Sequence, residues 1–338
     1  MDVNESTDHA AKMTSKRALA AGLVVVLLWA SAFPAIRVAA PELGPVGLSA
    51  VRLIVAAVAL LALAPTTRIR LPERRDLALI VGAAFFGMTA YQLLLNTGEL
   101  FVPAGTASII VAAAPLVSVG IAALAFSERV SRIRLIGSAV AIGGVCAVCL
   151  ARAGLSLTSA VWIIVAAMIV QGIYHPLSRV LLRRYSATEV ATYAMIAGTV
   201  MTIPFVPIDW PQLVSASSGA WLAAAYLGLL PSALGFVLWG YAVARMPVVA
   251  STSLLYLVPA VAVMISFVWL GEIPLPSELI GGVVVIMGVA AVSQGDRIMT
   301  RISRPGRRLP PTPHRGRTAS RRRSVPSLPR HGGDRSGG

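Results

Sequence analysis

The side chains that could bind a small molecule lie inside apolar stretches of this sequence. They are aromatic rings, amides, hydroxyls, an imidazole and a guanidinium, which can stack on a solute or hydrogen-bond to it within an apolar pocket. Such groups are rarely left facing lipid, so in a membrane protein they would point between helices. The candidate binding residues are Trp29, Ser31, Arg52, Tyr91, Gln92, Ser108, Gln171, Tyr174, His175, Trp239, Tyr241, Thr252, Ser253 and Tyr256.

Each candidate also has a purely structural interpretation. Serine and threonine hydroxyls in membrane helices commonly bond to their own backbone, and aromatic residues near helix ends often line the membrane interface. The positions of Trp239 and Tyr241 fit a cavity and an interfacial belt equally well. The amides of Gln92 and Gln171 favour a cavity or an interhelical contact, because an amide facing hydrocarbon would leave its polar atoms unpaired.

His175 directly precedes Pro176 in one of these stretches. Proline lacks a backbone N–H, so we expect the helix to be kinked or broken there and to release backbone carbonyls. An imidazole titrates at about pH 6.5 when unperturbed, so His175 could bind a solute or relay a proton. It could equally bond to one of the released carbonyls.

Arg52 is a charged residue inside an apolar stretch. A charge at that depth needs a partner or a route to water, so Arg52 could hold a substrate carboxylate, form a structural pair or snorkel. Arg37, Glu42 and Glu99 are expected on the same side of the membrane, which predicts an outer charge cluster. No carboxylate lies near the middle of an apolar stretch, so proton coupling would need His175, a carboxylate at a helix end or the substrate itself.

Composition places these residues in a membrane. Hydrophobic residues make up 57% of the chain, charged residues only 13%, and the mean hydropathy is +0.78. A soluble domain carries about 25% charged residues, so this chain lacks the polar surface that water requires. Ten apolar stretches are each about long enough to cross a bilayer core of about 30 Å as a helix. They are 19–40, 46–65, 77–97, 104–126, 133–151, 158–179, 189–208, 220–243, 248–270 and 277–295.

The second half of the sequence repeats part of the first. Residues 115–148 recur without a gap as residues 259–292, at an offset of 144 residues. Identical pairs include Pro115 with Pro259 and Glu128 with Glu272, together with several glycines. Each copy would hold five spans, and an odd number makes the second copy enter the membrane from the opposite side. The sequence thus predicts an all-α polytopic membrane protein of ten transmembrane helices, arranged as two inverted five-helix repeats.

The cationic residues predict the orientation. Arginines concentrate in alternate loops, lysine and arginine precede the first stretch, and arginines follow the last. Because cytoplasmic loops carry the excess of positive charge, both termini are expected in the cytoplasm of a multi-pass cell-membrane protein. The connections at 41–45 and 209–211 carry turn residues and are expected to be short loops.

The order of several short motifs resembles the EamA family of the drug/metabolite transporter superfamily. The first copy carries the run Trp29–Arg37, then Ser49–Arg52 and Ala104–Ser108. The second copy carries Ala250–Ser253, followed by Pro259, Glu272 and Gly281 at the corresponding places. The resemblance implies a secondary carrier that moves small metabolites, often outward and without hydrolysing ATP, through a central cavity between the halves. A non-transporting scaffold or sensor and a membrane enzyme are the alternatives, but no catalytic motif supports an enzyme.

The resemblance divides the chain into four segments. Residues 1–18 are a cytoplasmic N-terminal segment, 19–151 and 158–295 the two EamA repeats, and 296–338 an Arg-rich tail. The tail is rich in Pro, Ser and Gly and is expected to be disordered, because it cannot bury a core. Its arginines favour anionic lipid at the cytoplasmic surface, and no nucleic acid is expected.

The sequence predicts no cofactor, no metal and no catalytic residue. Cys146 and Cys149 form a CxxC spacing that can bind metal or a disulfide. The segment is apolar and has no second ligand pair, so we interpret both as packing residues. Small metabolites such as amino acids or drug-like solutes are the cargo that the resemblance implies, whereas the oligomeric state cannot be read from the sequence.

Overall fold

A computed structural model describes residues 3–67, 69–126, 132–153, 160–246 and 254–302, and all their regular elements are helical. The α-helices are α1 (Val3–Leu43), α2 (Pro45–Ala62), α3 (Ala64–Thr67), α4 (Leu77–Ala84), α5 (Tyr91–Gly98), α6 (Ala104–Val111), α7 (Ala114–Phe126), α8 (Arg132–Ala153), α9 (Ala160–Leu181), α10 (Ala187–Thr202), α11 (Trp210–Ser215), α12 (Ser218–Leu227), α13 (Gly235–Arg245), α14 (Leu257–Leu270) and α15 (Pro276–Ile302). Two 3₁₀ segments cover Arg74–Asp76 and Ile203–Asp209. Two π-helical segments cover Phe85–Ala90 and Gly228–Leu234, and we call them the first and second π segments.

Helices long and apolar enough to cross a membrane account for much of the described chain. Six meet that description, namely Lys16–Leu43, Pro45–Ala62, Arg74–Gly98, Ala160–Leu181, Ala187–Ser215 and Ser218–Ala242. Four shorter apolar helices cover Ala104–Ser118, Leu135–Val148, Leu257–Leu270 and Pro276–Ala291. Each predicted stretch overlaps one of these helices. The all-helical, polytopic class is therefore confirmed, and the ends of the elements differ from prediction by several residues.

The connection predicted at 41–45 is a single residue rather than a loop. Helix α1 runs through Leu43, and Gly44 alone, at a φ of 73°, separates it from α2. A side chain at Gly44 would also collide with Asp209, whose Oδ2 accepts hydrogen bonds from Val46 N at 2.7 Å and Gly47 N at 3.1 Å. This carboxylate serves the N–H groups that the first turn of α2 leaves unpaired. The predicted loop at 209–211 is likewise helical, because it joins a 3₁₀ segment to α11.

The two π segments occupy similar places in the two halves of the chain. They begin at residues 85 and 228 and end at residues 90 and 234, which gives offsets of 143 and 144. The first packs against α9 and α10, and the second packs against α1 and α2. The π segment of each half thus packs against the first two long helices of the other half. Short π-helical insertions inside α-helices often occur at functional sites.

Helices α8 and α15 pack closely through glycines. A Cβ atom on Gly144 would lie 2.8 Å from Val285 N and 2.9 Å from Gly281 O, so backbone approaches backbone there. A Cβ on Gly288 would lie 2.5 Å from Ala141 N. Small residues permit such close approach between membrane helices. The prediction that Cys146 packs inside is wrong, since its side chain is exposed, and the side chain of Cys149 lies outside the described residues.

Neighbouring glycines of α8 provide a direct test of this contact. Gly144→Val should lower the free energy of unfolding by about 1–3 kcal/mol, because the new side chain overlaps backbone atoms of α15. Gly143→Val is the matched control, since nothing lies within 4 Å of a Cβ at that position. Thermal unfolding of the purified protein in detergent measures both. Equal effects of the two substitutions would contradict the close packing of α8 on α15.

Candidate functional site

Arg52 of α2 is buried in the centre of a polar cluster. Its Nε donates to Ser232 Oγ at 2.9 Å, and Ser232 belongs to the second π segment. Its Nη1 is buried and has no hydrogen-bond partner among the described residues. The side chain is 9% exposed, so this cationic group has neither bulk water nor a full set of acceptors. A buried guanidinium in that condition is a strong binding group for a carboxylate.

Four acceptor oxygens with no hydrogen-bond partner among the described residues line one face of α5 and the residue that follows it. They are Gln92 Oε1, Asn96 Oδ1 and both carboxylate oxygens of Glu99. The spacing of four and then three residues places the side chains in a row along the helix. We call this row the acceptor column. Asn96 Nδ2 donates to Ser49 Oγ at 2.9 Å, which anchors the column to α2.

The acceptor column lies next to the face of α2 that carries Arg52. Ser49 and Arg52 are three residues apart and share that face, and α2 packs against α5. Buried polar atoms without partners are rare in folded proteins, because each loses its bonds to water without replacement. A donor on α2 and several acceptors on α5 converge here. This arrangement complements a small molecule with a negative group and a donor group.

Aromatic residues close the cluster on the α1 side. Trp29 Nε1 donates to Pro231 O in the second π segment at 3.0 Å, and the Trp29 ring lies 5.6 Å from that of Trp239. Ser31 Oγ donates to the carbonyl of Leu27 and shares a 2.5 Å hydrogen bond with the hydroxyl of Tyr226. The second π segment therefore bonds to α1 through Pro231 and to α2 through Ser232. The predicted residues Trp29, Ser31, Arg52 and Trp239 meet around it.

The predicted residues of α9 gather at the first π segment. Tyr174 is buried, and a Cβ on Gly87 of that segment would touch its ring. Gln171 Oε1 is buried without a hydrogen-bond partner, in agreement with the expectation that this amide points between helices. Tyr91 begins α5, directly after the first π segment. These residues form a second group, and Tyr91, which interacts electrostatically with Arg52, links it to the first.

The helix around His175 is continuous, so the predicted break at Pro176 is wrong. Pro176 cannot donate to the carbonyl of Gly172, four residues earlier, but Ser118 Oγ donates to that carbonyl at 2.8 Å. The released carbonyl is thus satisfied from α7. His175 Nδ1 lies 3.3 Å from the same Ser118 hydroxyl. The histidine therefore contacts the serine that caps the carbonyl rather than the carbonyl itself.

Three other candidates that the structure describes make their contacts outside this cluster. Ser108 Oγ donates to Gly105 O of its own helix at 2.6 Å, which is the structural alternative. The Tyr241 ring lies 4.0 Å from the guanidinium carbon of Arg245, near the end of α13. Tyr256 donates to Val289 O at 3.2 Å. Thr252 and Ser253 lie outside the described residues.

The end of the bundle where α1 meets α2 carries the predicted charge cluster. Arg37 Nη1 donates to Glu99 O at 2.5 Å and to Leu100 O at 2.7 Å, and Arg37 Nε lies 3.3 Å from Glu272 Oε1. Glu42 does not join this cluster, because its carboxylate accepts a 2.7 Å bond from Ser217 N. We call this region the Arg37 end. It links α1 to the segments that follow α5, α11 and α14.

The opposite end of α2 carries a second set of ionic contacts. Arg70 Nε lies 2.9 Å from Glu189 Oε1, and these hydrogen bonds to Glu189 raise the pKa of Arg70. Arg184 pairs with Asp76, which also accepts a 2.8 Å bond from the hydroxyl of Tyr185. We call this region the Arg70 end. It joins the loop after α2 to the loop between α9 and α10.

Comparison with known proteins identifies the family. The model of the EamA-like transporter family matches residues 16–150 and again residues 158–294. This chain belongs to the EamA-like transporter family. A probable terminal-alkyne amino-acid exporter of Streptantibioticus cattleyicolor is 48% identical and covers 88% of this chain and 100% of that protein. A probable amino-acid metabolite efflux pump of Salmonella typhimurium is 25% identical, over 79% of this chain and 91% of that protein.

A solved structure has a similar fold. One crystal structure of 18% sequence identity superposes with a TM-score of 0.55 and covers 82% of this chain and 97% of that one. The two EamA matches coincide with the two halves that carry the π segments. This EamA-like chain is thus a multi-pass membrane protein of a transporter family.

The contact between Ser118 and Gly172 predicts a rescue. Ser118→Ala should lower the free energy of unfolding by about 1 kcal/mol, because it leaves the carbonyl that Pro176 released without a donor. In a Pro176→Ala background the new N–H reaches that carbonyl, so Ser118→Ala should cost much less. A double-mutant cycle from thermal unfolding measures the difference. Equal costs in both backgrounds would mean that Ser118 does not serve this carbonyl.

Proposed function

We propose that this EamA-like protein is a secondary transporter that exports small amino-acid-like metabolites by alternating access. The observation that carries the proposal is the unpartnered Nη1 of buried Arg52 beside the acceptor column of α5. An amino acid has a carboxylate that a guanidinium can hold and an ammonium group that needs acceptors. Two relatives whose names specify amino acids and export support this choice of cargo.

The transmembrane arrangement in the proposal has ten spans in two inverted halves. Six long apolar helices and four shorter ones support that number. The paired EamA matches and the π segments at similar offsets support the repeat. The contact of Arg37 with Glu272 supports a position for Glu272 at the same membrane face as the end of α1. Glu128, its counterpart in the first half, lies outside the described residues.

The two ends of the bundle would act as alternating gates. The Arg37 end would be the extracellular gate and the Arg70 end the cytoplasmic gate, in agreement with the distribution of arginines in the loops. Both termini are then cytoplasmic in the cell membrane. The polar cluster around Arg52 lies between these ends, so opening one end at a time would expose it to each side in turn. The Arg-rich tail would lie against anionic lipid at the cytoplasmic face.

Removal of the central charge tests the binding function. In proteoliposomes, Arg52→Met should abolish counterflow of a mixed radiolabelled L-amino-acid pool, because the carboxylate loses its partner. Methionine fills a similar volume, and apolar replacement of a buried charge is often tolerated, so the protein should stay folded. Gln92→Ala and Gln171→Ala should reduce counterflow as well, and thermal unfolding checks their integrity.

Arg183→Met is the matched control, since Arg183 is an exposed arginine between α9 and α10. It should transport at the wild-type rate. Wild-type counterflow by a folded Arg52→Met protein would remove Arg52 from the binding site. Absence of amino-acid transport by the wild-type protein would overturn the proposed cargo.

A further inference from the structure

Glu99 is a buried carboxylic acid at the Arg37 end whose own ionisation the binding scheme leaves unassigned. It directly follows the membrane span Arg74–Gly98, its side chain is 0% exposed, and neither carboxylate oxygen has a partner. The neighbouring guanidinium does not serve it. Arg37 directs its hydrogen bonds to the backbone carbonyls of Glu99 and Leu100 and pairs with Glu272.

The charged and titratable groups around Glu99 come from four elements. Arg37 of α1, Arg52 of α2, Tyr91 of α5 and Glu272 after α14 all interact with it electrostatically. Arg37 is already paired with Glu272, and Arg52 bonds to Ser232. An ionised carboxylate would therefore be buried without a hydrogen bond beside another negative charge, which is costly.

The ionisation equilibrium follows from this environment. Burial, and then the negative charge of Glu272, raise the pKa of Glu99 well above its usual range, although Arg37 and Arg52 act in the opposite direction. Glu272 differs because it receives bonds from Arg37 Nε at 3.3 Å and from Ala104 N at 2.9 Å. The two carboxylates at this end thus have different roles. Glu272 holds the end together through these bonds, whereas the surroundings of Glu99 favour its neutral form.

Glu99 also stands at the end of the acceptor column that leads to the binding cluster. Asn96 and Gln92 lie three and seven residues before it, which corresponds to about 4.5 and 10 Å along the helix. The unpartnered oxygens of both amides point to the same side as Glu99 by their spacing. Acceptor oxygens therefore extend along one side of α5 from Glu99 toward the helix α2 that carries Arg52.

We propose that Glu99 is the proton-binding group that couples inward proton movement to solute export. The inference rests on the proposed transport function. While the Arg37 end is open, Glu99 takes a proton from outside, and closure buries the neutral acid as seen here. When the Arg70 end opens, the acid dissociates into a carboxylate and a proton that leaves to the cytoplasm. The solute's ammonium group then donates to that carboxylate, so solute and proton compete for one group.

Infrared spectroscopy of the wild-type protein tests the protonation without any solute. At neutral pH the protein should show the carbonyl stretch of a buried protonated carboxylic acid, and Glu99→Gln should remove it. Glu42→Gln is the matched control, because Glu42 is an exposed carboxylate at the same end. It should leave the band unchanged. A band that persists unaltered in folded Glu99→Gln protein, or no band in the wild type, would overturn the inference.

A second variant keeps the test valid if Glu99→Gln does not fold. Glu99→Asp retains an acid with a shorter side chain, so it should shift the frequency or the pH midpoint of the band. A band identical to that of the wild type in Glu99→Asp would exclude Glu99 as its source and overturn the inference.

Flux measurements test the coupling. In proteoliposomes, a pH gradient should accelerate wild-type and Glu42→Gln export of the radiolabelled L-amino-acid pool. Glu99→Gln should lose this acceleration, because an amide has no carboxylic proton to exchange between the two sides. Full acceleration by Glu99→Gln would overturn the coupling role. If the wild type moves no amino acid, the proposed cargo fails, whereas the infrared result still decides whether Glu99 holds a proton.

Discussion

A guanidinium charge inside an apolar helical bundle constrains everything placed around it. Arg52 is held by one hydroxyl, from Ser232, and its Nη1 has no acceptor among the described residues. Such a group is expensive in lipid and is retained where it serves a function. That cost of burial explains why polar side chains surround Arg52. The second π segment supplies Ser232, and α5 supplies amide and carboxylate oxygens close to α2. Polar groups of α5 and of the second π segment therefore lie around the face of α2 that carries Arg52.

The packing of the two halves supports the proposal that this cluster is reached from either side in turn. The second π segment bonds to α1 through Pro231 and to α2 through Ser232, and the first packs against α9 and α10. Each half therefore packs its π segment against the first two long helices of the other half. The Arg37 end and the Arg70 end close this arrangement with separate ion pairs. Because the two sets share no residue, one can open while the other stays closed.

Sequence reasoning recovered the class of the protein and part of the site. Hydropathy identified the spans because lipid forces the backbone into helices, and Arg52, Gln92 and Gln171 were found because polar atoms in apolar stretches need partners. The binding role of Ser108 stays a prediction, since its hydroxyl bonds to its own helix and the sequence does not show which bond it makes. The spacing of Asn96 and Glu99 after Gln92 was a readable signal of the acceptor column. The burial of Glu99 was not readable, because a residue at a helix end becomes buried only through the tertiary contacts of Arg37 and Glu272.

Distances across the two ends test the account most directly. Spin labels can be placed beside the ionic contacts, at Pro41→Cys with Ser218→Cys for the Arg37 end and at Leu71→Cys with Arg183→Cys for the Arg70 end. Cys146→Ala and Cys149→Ser remove the native thiols. Pulsed electron paramagnetic resonance, with and without the L-amino-acid pool, should show one distance lengthening as the other shortens. Distances that change together, or that stay fixed in a protein that transports, would contradict alternating access around Arg52.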